Sequence, residues 1–339
     1  GAPSGARKGA AAPGPRAMSA RAQAQQRADA GLISPVSPAS PASPEGRRAS
    51  WDNDRDRKEA LSQLLASNGI REEDIKNPER VTCIEMVLDE YCCMRGFRYF
   101  PNLKTICLIQ QAVVKIEGLE ACCNLEKLIL NENKIMKVEG LTACANLRQL
   151  YLCTNAIQDL GVGLVGLSAL EVLWVAENSL ADLEGIGMAP NLTDLNAARN
   201  KLSSVSQAFE RNVKLRSLNL SDNSLCSFRE VLYLSRLSAL TELNFSDPDW
   251  GENPICMLCN YQTYALYHLP TLKVLDRLRV TAEEHSAAEA AFARKRLYYN
   301  MRAKLLRRQA ADALRAARSA HDGRAEAVRA ELQGALRTL

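Results

Sequence analysis

The chain has 339 residues and a net charge of +4, and 47% of its residues are hydrophobic while only 5% are aromatic. This length is ample for a buried core, and the lack of any apolar run of about eighteen residues argues against a membrane-spanning helix. The eleven cysteines are an odd number and are spread along the chain, so we expect reduced thiols in the cytoplasm rather than a disulfide framework.

Residues 1–50 are predicted to form a disordered tail. They consist mainly of Ala, Pro, Ser, Gly and Arg with almost no large apolar side chains, so they cannot bury enough surface to offset the loss of chain entropy. Four Ser-Pro dipeptides recur at every third residue from Ser34. They fit a polyproline-like spacer, and proline-directed phosphorylation is the alternative use.

Residues 51–100 are predicted to form a helical N-terminal cap. A first helix is expected over residues 57–67, and Asn77-Pro78 is a favourable start for a second one. The second helix is expected over residues 79–94, directly before the first repeat, where it would cover the open end of the array. Its apolar stripe would consist of Val81, Ile84, Val87, Leu88 and Tyr91.

Residues 101–250 repeat one line of sequence seven times. Each line follows or approaches the pattern L-x-x-L-x-L-x-x-N-x-L, and successive lines start 22, 22, 23, 22, 23 and 25 residues apart. This is the leucine-rich repeat pattern, whose period is roughly 20–29 residues. We therefore predict an α/β fold, a leucine-rich repeat solenoid of about seven repeats, with one parallel strand per repeat and a cap strand near Val274. The strands should be centred on Ile106, Leu128, Leu150, Leu173, Leu195, Leu218 and Leu243.

Alternation along each strand divides the side chains of a line between the core and the surface. The fourth and sixth residues should point into the solenoid, whereas the third, fifth and seventh should lie on the concave sheet. The ninth residue is usually asparagine, whose short amide can bond backbone groups where the chain leaves the strand. We predict a structural ladder of Asn133, Asn155, Asn178, Asn200 and Asn223, with Gln111 as the substitute in the first line.

The turns between strands and the end of the array carry a family resemblance. Residues 116–119, 138–141 and 183–186 share an apolar-Glu-Gly-apolar sequence, and the last line is followed by Asn253-Pro-Ile-Cys256 and Leu269-Pro-Thr-Leu272-Lys-Val-Leu275-Asp276. These features resemble the SDS22-like leucine-rich repeats and their C-terminal cap over roughly residues 81–285. The resemblance implies a C-terminal cap over residues 251–280.

Residues 281–339 are predicted to form a long basic α-helix. Thr281-Ala-Glu-Glu284 is a capping box, and Ala, Leu, Arg and Lys dominate the following residues. Gly323 is a candidate break in the helix. Residues 295–302 resemble leucine-rich-repeat-containing protein nine and its relatives, which are associated with cilia and flagella. That resemblance implies a place in the cytoskeleton, in the axoneme of a cilium or flagellum.

No pattern in the sequence predicts an enzyme active site. The three histidines lack a nucleophile or paired acid at motif spacing, and no glycine-rich phosphate loop occurs. Cys256 and Cys259 form a C-x-x-C pair, but zinc would need two further ligands and no second pair follows. We therefore predict a non-enzymatic protein with no cofactor, metal or small-molecule substrate.

The concave sheet is the predicted protein-binding surface. Its central column, the fifth residue of each line, is apolar or aromatic in four lines and asparagine in the last three. Exposed apolar patches usually mark contacts, and aromatic side chains dominate the energetics of such contacts. A terminal segment of the same chain covering the patch is the alternative. The candidate residues are Ile129, Tyr151, Cys153, Val172, Trp174, Asn196 and Asn219.

The C-terminal helix is the predicted second contact. Residues 290–320 contain nine basic residues and one acidic residue, Asp312, and a charge this one-sided favours an acidic partner. An apolar stripe that begins at Ala291 would face a helix or groove. A merely solvated helix is the alternative. The candidate residues are Arg294, Lys295, Arg296, Tyr298, Met301, Arg302, Lys304, Leu305, Arg307 and Arg308.

Together these features predict an adaptor protein. The partners that the resemblance implies are axonemal subunits and tubulin. Two other functions fit the sequence. A phosphatase regulatory subunit agrees with SDS22-like repeats but leaves the basic helix unexplained. A spliceosomal or RNA-associated protein agrees with the cap and the basic tail. However, RNA binding would require stacking aromatic residues among the charges, and only Tyr298 and Tyr299 are available.

Overall fold

The structure is a computed structural model that describes residues 61–62, 64, 75–88, 94–206 and 208–338. The expected disordered tail, residues 1–50, lies outside the described residues. Of the helix expected over residues 57–67, the structure describes residues 61, 62 and 64, which are helical. Across the described ranges, no helix combines the length and the apolar character needed to cross a membrane.

Short parallel strands form the main body of the molecule. The strands are β1 (Cys83–Val87), β2 (Thr105–Ile109), β3 (Lys127–Ile129), β4 (Gln149–Tyr151), β5 (Val172–Trp174), β6 (Asp194–Asn196), β7 (Ser217–Asn219), β8 (Glu242–Asn244), β9 (Ser246–Asp247), β10 (Gly251–Glu252), β11 (Val274–Leu275) and β12 (Leu278–Arg279). Ten of them form one sheet in the order β1 to β8, β11, β12. The neighbours from β1 to β11 pair in parallel and in register, which confirms the seven predicted strands and the cap strand.

The helices whose bounds lie within the described residues are short except for the last one. They are α1 (Arg229–Leu234), α2 (Tyr261–His268) and α3 (Ala282–Thr338), and the 3₁₀ turns are Pro78–Arg80, Met94–Tyr99, Ile186–Met188 and Pro254–Met257. The first turn begins at Pro78, whose fixed backbone suits a helix start. The side chain of Asn77 makes no capping hydrogen bond there.

The leucine stack forms the core of the solenoid. The first, fourth and sixth residues of all seven lines are at most 1% exposed. The parallel register sets each fourth residue beside its counterpart in the next line, so Leu150 lies between Leu128 and Leu173. Each buried leucine side chain contributes roughly 1.5–3 kcal/mol, and no repeat can bury its apolar face without its neighbours.

Strand β1 occupies a segment for which the sequence predicted a helix, so the prediction of a helix over residues 79–94 is wrong there. The strand pairs with β2 in parallel, with Ile84 beside Ile106 and Met86 beside Leu108. The two inward side chains are buried and their neighbours are not, which is the two-residue period of a strand. They stand 22 residues before their partners, so the segment continues the repeat and pairs with the edge of β2.

The asparagine at the ninth position ties each turn to its neighbours. The Oδ1 atom of Asn178 accepts the N–H of Ile157 at 3.0 Å, and its Nδ2 donates to the carbonyl groups of Leu152, Val175 and Ala176 at 2.9, 3.0 and 3.2 Å. Equivalent bonds are made by Asn133, Asn155, Asn200 and Asn223. The predicted ladder is confirmed for the five asparagines, and Gln111 donates from its Nε2 to the carbonyl of Ile109 at 3.1 Å.

The eighth residue of the second to sixth lines turns the chain out of the strand. Glu132, Thr154, Glu177, Arg199 and Asp222 have φ between +51° and +58°, a left-handed conformation that costs a non-glycine residue roughly 1–2 kcal/mol. Hydrogen bonds to the next turn offset this cost, as when the N–H of Glu177 donates to the carbonyl of Ala198 at 3.0 Å. The turn places these side chains along one rim of the concave sheet.

A hairpin of β9 and β10 interrupts the last line. The asparagine that completes the ladder is therefore displaced to Asn253, whose Oδ1 accepts the N–H of Leu225 at 3.1 Å and whose Nδ2 donates to Leu220 and Phe245 at 2.7 and 2.8 Å. The helix α2 and the antiparallel pair of β11 and β12 follow. The repeat chemistry thus continues across the insertion and into the C-terminal cap.

The helix α3 leaves the cap and extends away from it. Its predicted capping box is confirmed, because the N–H of Thr281 donates to Glu284 Oε2 at 2.8 Å and the N–H of Glu284 donates to Thr281 Oγ1 at 3.2 Å. Phe292 stacks on Tyr267 of α2 with ring centroids 3.9 Å apart. Residues 293–324 are all exposed, and Gly323 does not interrupt the helix.

Candidate protein-binding surfaces

An aromatic pair lies at the centre of the concave sheet. Tyr151 on β4 and Trp174 on β5 are partners in the strand register, and their ring centroids are 5.2 Å apart with the rings at 76°. This edge-to-face arrangement is the favourable one for aromatic side chains. Both residues are half-buried, so part of each ring remains on the concave surface.

A hydrogen bond fixes the orientation of Trp174. Its indole Nε1 donates to Asp194 Oδ1 on β6 at 2.7 Å. Burial raises the pKa of Asp194, and hydrogen bonds from Trp174 and Ser217 lower it in part. Because the polar end of the indole is already satisfied, the surface that it offers is its apolar ring. A side chain held in place before binding loses less entropy when a partner arrives.

Tyr151 is held less tightly than Trp174. Its hydroxyl donates to Gln149 Oε1 at 3.4 Å, a long hydrogen bond, and the Lys127 ammonium lies 5.6 Å from the ring centroid. Burial is the main cause that raises the pKa of Tyr151. The phenol therefore stays neutral at physiological pH, and the cation near the ring adds a weak attraction.

Apolar side chains surround the aromatic pair. Ile129 lies on β3, Cys153 lies just after β4 and Val172 lies on β5, and all three are half-buried. Burial raises the pKa of Cys153 to about 12, so this thiol is protonated and acts as a small apolar group. We call Ile129, Tyr151, Cys153, Val172 and Trp174 the concave patch. The structure brings these five predicted residues together.

The two predicted asparagines lie outside the concave patch. Asn196 and Asn219 are each only 8% exposed, and their Oδ1 atoms accept the N–H groups of Ala198 and Ser221 at 3.1 and 3.0 Å. Asn219 also donates to Asp247 at 3.4 Å. Their carbonyl oxygens are thus occupied within the chain, and little of either side chain can reach a partner.

Several surface residues were not predicted from the sequence. Arg199 on the rim pairs with Glu177 at 2.6 Å and Asp222 at 3.0 Å, and it also donates to the carbonyl of Trp250 at 3.0 Å. The Arg199 guanidinium carbon lies 5.7 Å from the Trp250 ring centroid, which ties the β9–β10 hairpin to the rim. In the sequence, the hairpin is indicated by the greater length of the last line. The partner of Trp174 is indicated by Asp194, the third residue of its own line.

All ten predicted contact residues of α3 lie in its exposed part. The Arg302 guanidinium donates to Tyr298 Oη at 3.2 Å, and Arg315 pairs with Asp312. Tyr298, Met301 and Leu305 of the predicted stripe are 52%, 57% and 56% exposed. Leu297, Tyr299, Leu306 and Leu314 are also exposed, so the apolar surface of the helix is larger than the predicted stripe.

The described residues contain no group of three or more His, Cys, Asp and Glu side chains suited to a metal ion. In the C-x-x-C pair, Cys256 is half-buried and Cys259 is exposed. Burial raises the pKa of Cys256 to about 12, which disfavours the thiolate that metal binding requires. His268 packs among Tyr264, Tyr267 and Phe292, and burial lowers its pKa. This histidine has a packing role.

Two family models match the chain. Residues 167–304 match a model described as "Leucine-rich repeat", which extends through the C-terminal cap into α3. Residues 123–162 match a model described as "Leucine Rich repeats (2 copies)". Among curated proteins, the "Probable U2 small nuclear ribonucleoprotein A'" of Caenorhabditis elegans is 33% identical over 78 residues. That match covers 23% of this chain and 29% of the relative, so the chain spans less than a third of the relative's length.

Solved structures share the architecture at low sequence identity. Internalin C2 of Listeria monocytogenes is 18% identical, with 64% of this chain and 91% of that chain covered and a TM-score of 0.51. The internalin InlF of the same organism is 20% identical, with coverages of 65% and 54% and a TM-score of 0.44. The SNF/U2A' complex of Drosophila melanogaster is 21% identical, with coverages of 46% and 75% and a TM-score of 0.34. Only the likeness to internalin C2 bears on the fold. The repeat pattern, the parallel solenoid and the two family matches show that residues 123–162 and 167–304 carry leucine-rich repeats and that the fold is a leucine-rich repeat solenoid.

Proposed function

We propose that the chain is a non-enzymatic adaptor that binds another protein on the concave patch. The observation that carries this proposal is the Tyr151–Trp174 pair, whose polar groups are bonded within the sheet while part of each ring faces outward. Leucine-rich repeat proteins are typically interaction scaffolds rather than enzymes, and exposed apolar patches usually mark contacts.

The width of the concave patch limits the shape of the partner. Parallel strands lie about 4.8 Å apart, so the three strands β3 to β5 span about 10 Å. That is close to the diameter of one α-helix with its side chains. The partner therefore presents a single helix or a narrow loop, with an apolar anchor over Tyr151 and Trp174. Lys127 at the edge of the patch favours an acidic group beside that anchor.

The helix α3 provides the second contact of the adaptor, and its basic residues favour an acidic surface. We place this adaptor in the cytoplasm, in the axoneme of a cilium or flagellum, where axonemal subunits and the acidic surface of tubulin would be its partners. The support for this setting is the resemblance of residues 295–302 to cilium-associated leucine-rich repeat proteins. The mechanism at the concave patch does not depend on it.

A spliceosomal role is the second candidate function. The observation that favours it is the match of 33% identity over 78 residues to a protein named as a U2 small nuclear ribonucleoprotein A'. In that role the concave patch would still bind a protein, and α3 would lie near RNA. The proposal of a phosphatase regulatory subunit has no comparable observation in its favour.

Affinity capture separates these settings. The wild-type chain and the double variant Tyr151→Ala/Trp174→Ala are used as baits in ciliary and nuclear extracts, with quantitative mass spectrometry. Met136→Ala serves as the matched control, because Met136 is 53% exposed and lies outside the sheet strands. We expect axonemal proteins that the double variant loses and the control retains. Spliceosomal proteins with the same dependence would favour the second candidate, and equal capture by all three baits would refute binding at the concave patch.

A further inference from the structure

The side of α3 that packs on the cap continues beyond it. Ala288 is buried, and Phe292 stacks on Tyr267. Residues seven apart lie on one side of a helix in a coiled coil, and Tyr299 and Leu306 continue the register of Phe292. The apolar residues that follow at alternating spacings of four and three form a stripe, which we call the seam. It consists of Tyr299, Ala303, Leu306, Ala310, Ala313 and Ala317.

The seam is an exposed apolar surface. Tyr299 is 66% and Leu306 is 56% exposed, and the four alanines of the seam are exposed as well. It extends about 27 Å at 1.5 Å per residue. Within the described part of the chain, no other helix or strand packs against it after Phe292. The spacings of four and three residues between its members are those of the two core positions of a heptad.

Basic side chains border the seam on both sides. Arg302 occupies the heptad position before the core pair of Ala303 and Leu306, and Arg307 occupies the position after it. Lys295 occupies the position equivalent to Arg302 one heptad earlier, where the core residue is Arg296 and the seam has not yet begun. No acidic residue stands at any core or flanking position between residues 292 and 320, because Asp312 lies on the opposite side of the helix. In coiled coils, charge pairing between side chains at these flanking positions determines which helices associate. The complementary helix therefore carries Glu or Asp beside its own core positions.

Charge argues against the other occupants. A parallel second copy would set Arg302 of one helix against Arg307 of the other, which is a repulsive pair. Residues 1–50 of the same chain contain seven basic and two acidic residues, so they carry the wrong charge. A nucleic acid would match the arginines but would leave Leu306 and the alanines without an apolar partner.

We propose that the seam of α3 binds an acidic amphipathic helix of a partner protein. The helices meet as a two-helix coiled coil, in which large apolar side chains of the partner fill the space above Ala303 and Ala310. The carboxylates of the partner pair with Lys295, Arg302 and Arg307. This inference rests on the second contact named in the proposed function, and it assigns that contact to one side of α3 and to one class of partner.

The test uses the full chain and a labelled synthetic peptide with leucine at both heptad core positions and glutamate at the flanking positions. Leu297 and Leu306 form a matched pair, because they are 61% and 56% exposed and only Leu306 lies on the seam. We expect Leu306→Gln to weaken binding of the peptide at least about tenfold, since the leucine leaves a buried contact. Leu297→Gln should stay within about twofold of wild type. Binding should also weaken as salt rises, because exposed charges are screened.

Several outcomes would overturn the inference. They are no binding of the acidic peptide, equal loss in the two leucine variants, and equal binding of a peptide with lysine at the flanking positions. Tighter binding of polyuridylate RNA, unaffected by Leu306→Gln, would assign the helix to nucleic acid. A dimer in sedimentation that Leu306→Gln dissociates would assign the seam to a second copy. The variant Tyr151→Ala/Trp174→Ala should bind the peptide like wild type, so failure at the seam is distinguishable from failure at the concave patch.

Discussion

Replacement of Asn223 by alanine should lower the free energy of unfolding of the solenoid by several kcal/mol. Asn223 Oδ1 accepts the buried N–H of Leu202 at 3.0 Å, and its Nδ2 donates to the carbonyl groups of Ala197, Leu220 and Ser221 at 3.0, 2.8 and 3.2 Å. The orphaned N–H of Leu202 costs about 1–3 kcal/mol, and the two lost amide hydrogens cost about 1 kcal/mol each. The free energy of unfolding should therefore fall by about 3–5 kcal/mol.

Urea unfolding followed by circular dichroism measures this change. With an m value of roughly 3 kcal/mol/M, the midpoint should fall by about 1 M or more. Asn146→Ala is the control, because Asn146 is exposed and makes a single bond, from its Nδ2 to the carbonyl of Cys123 at 3.0 Å. It should cost no more than about 1 kcal/mol. Equal midpoints for the two variants would show that the ladder does not carry the stability assigned to it.

Three further changes test other parts of the structure. Leu150→Asp places an unpaired charge in the fully buried leucine stack and should abolish the cooperative thermal transition seen by circular dichroism. A melting curve like that of the wild type would contradict the strand register. Asp194→Asn keeps an acceptor for Trp174 but removes a carboxylate whose pKa burial raises. Ionisation of Asp194 therefore opposes folding at neutral pH, and this penalty disappears as pH falls through the raised pKa. The stability advantage of Asp194→Asn should be present at pH 7 and shrink toward acid pH in urea titrations, and an advantage that grows toward acid pH would contradict the assignment. Deletion of residues 296–339 keeps the contact between Phe292 and Tyr267, so the solenoid should remain stable. The deletion should remove the salt-dependent part of partner binding, and a salt dependence that survives it would place the electrostatic contact elsewhere.

The repeat period predicted most of the fold. Leucine at fixed positions cannot be buried without neighbouring repeats, so the strands from Ile106 to Leu243 follow directly from the spacing of the lines. Strand β1 was missed because its apolar residues also fit a helical stripe. Pairing with the edge of β2, which a local pattern does not contain, decides between the two conformations. The distance of 22 residues from Ile84 to Ile106 was the signal available in the sequence.

The candidate sites were predictable only in part. Alternation correctly directs Tyr151 and Trp174 to the concave sheet, but it directs Asn196 there as well. The structure shows that Asn196 Oδ1 accepts the N–H of Ala198 two residues further along the chain, so this oxygen is already occupied. Sequence position gives the face of a side chain and not its hydrogen-bond partner. The bond from Trp174 to Asp194 joins residues 20 apart and depends on the strand register.

The affinity of the concave patch for its partner tests the central claim most directly. Titration calorimetry compares Trp174→Ala, Tyr151→Ala and the control Met136→Ala against the partner captured by the wild-type chain, after circular dichroism has shown each variant to be folded. We predict that each aromatic variant weakens Kd by about thirtyfold, equivalent to about 2 kcal/mol at an aromatic hot spot, and that the control is unchanged. Unchanged Kd values for both aromatic variants would contradict the account and move the interface to another surface.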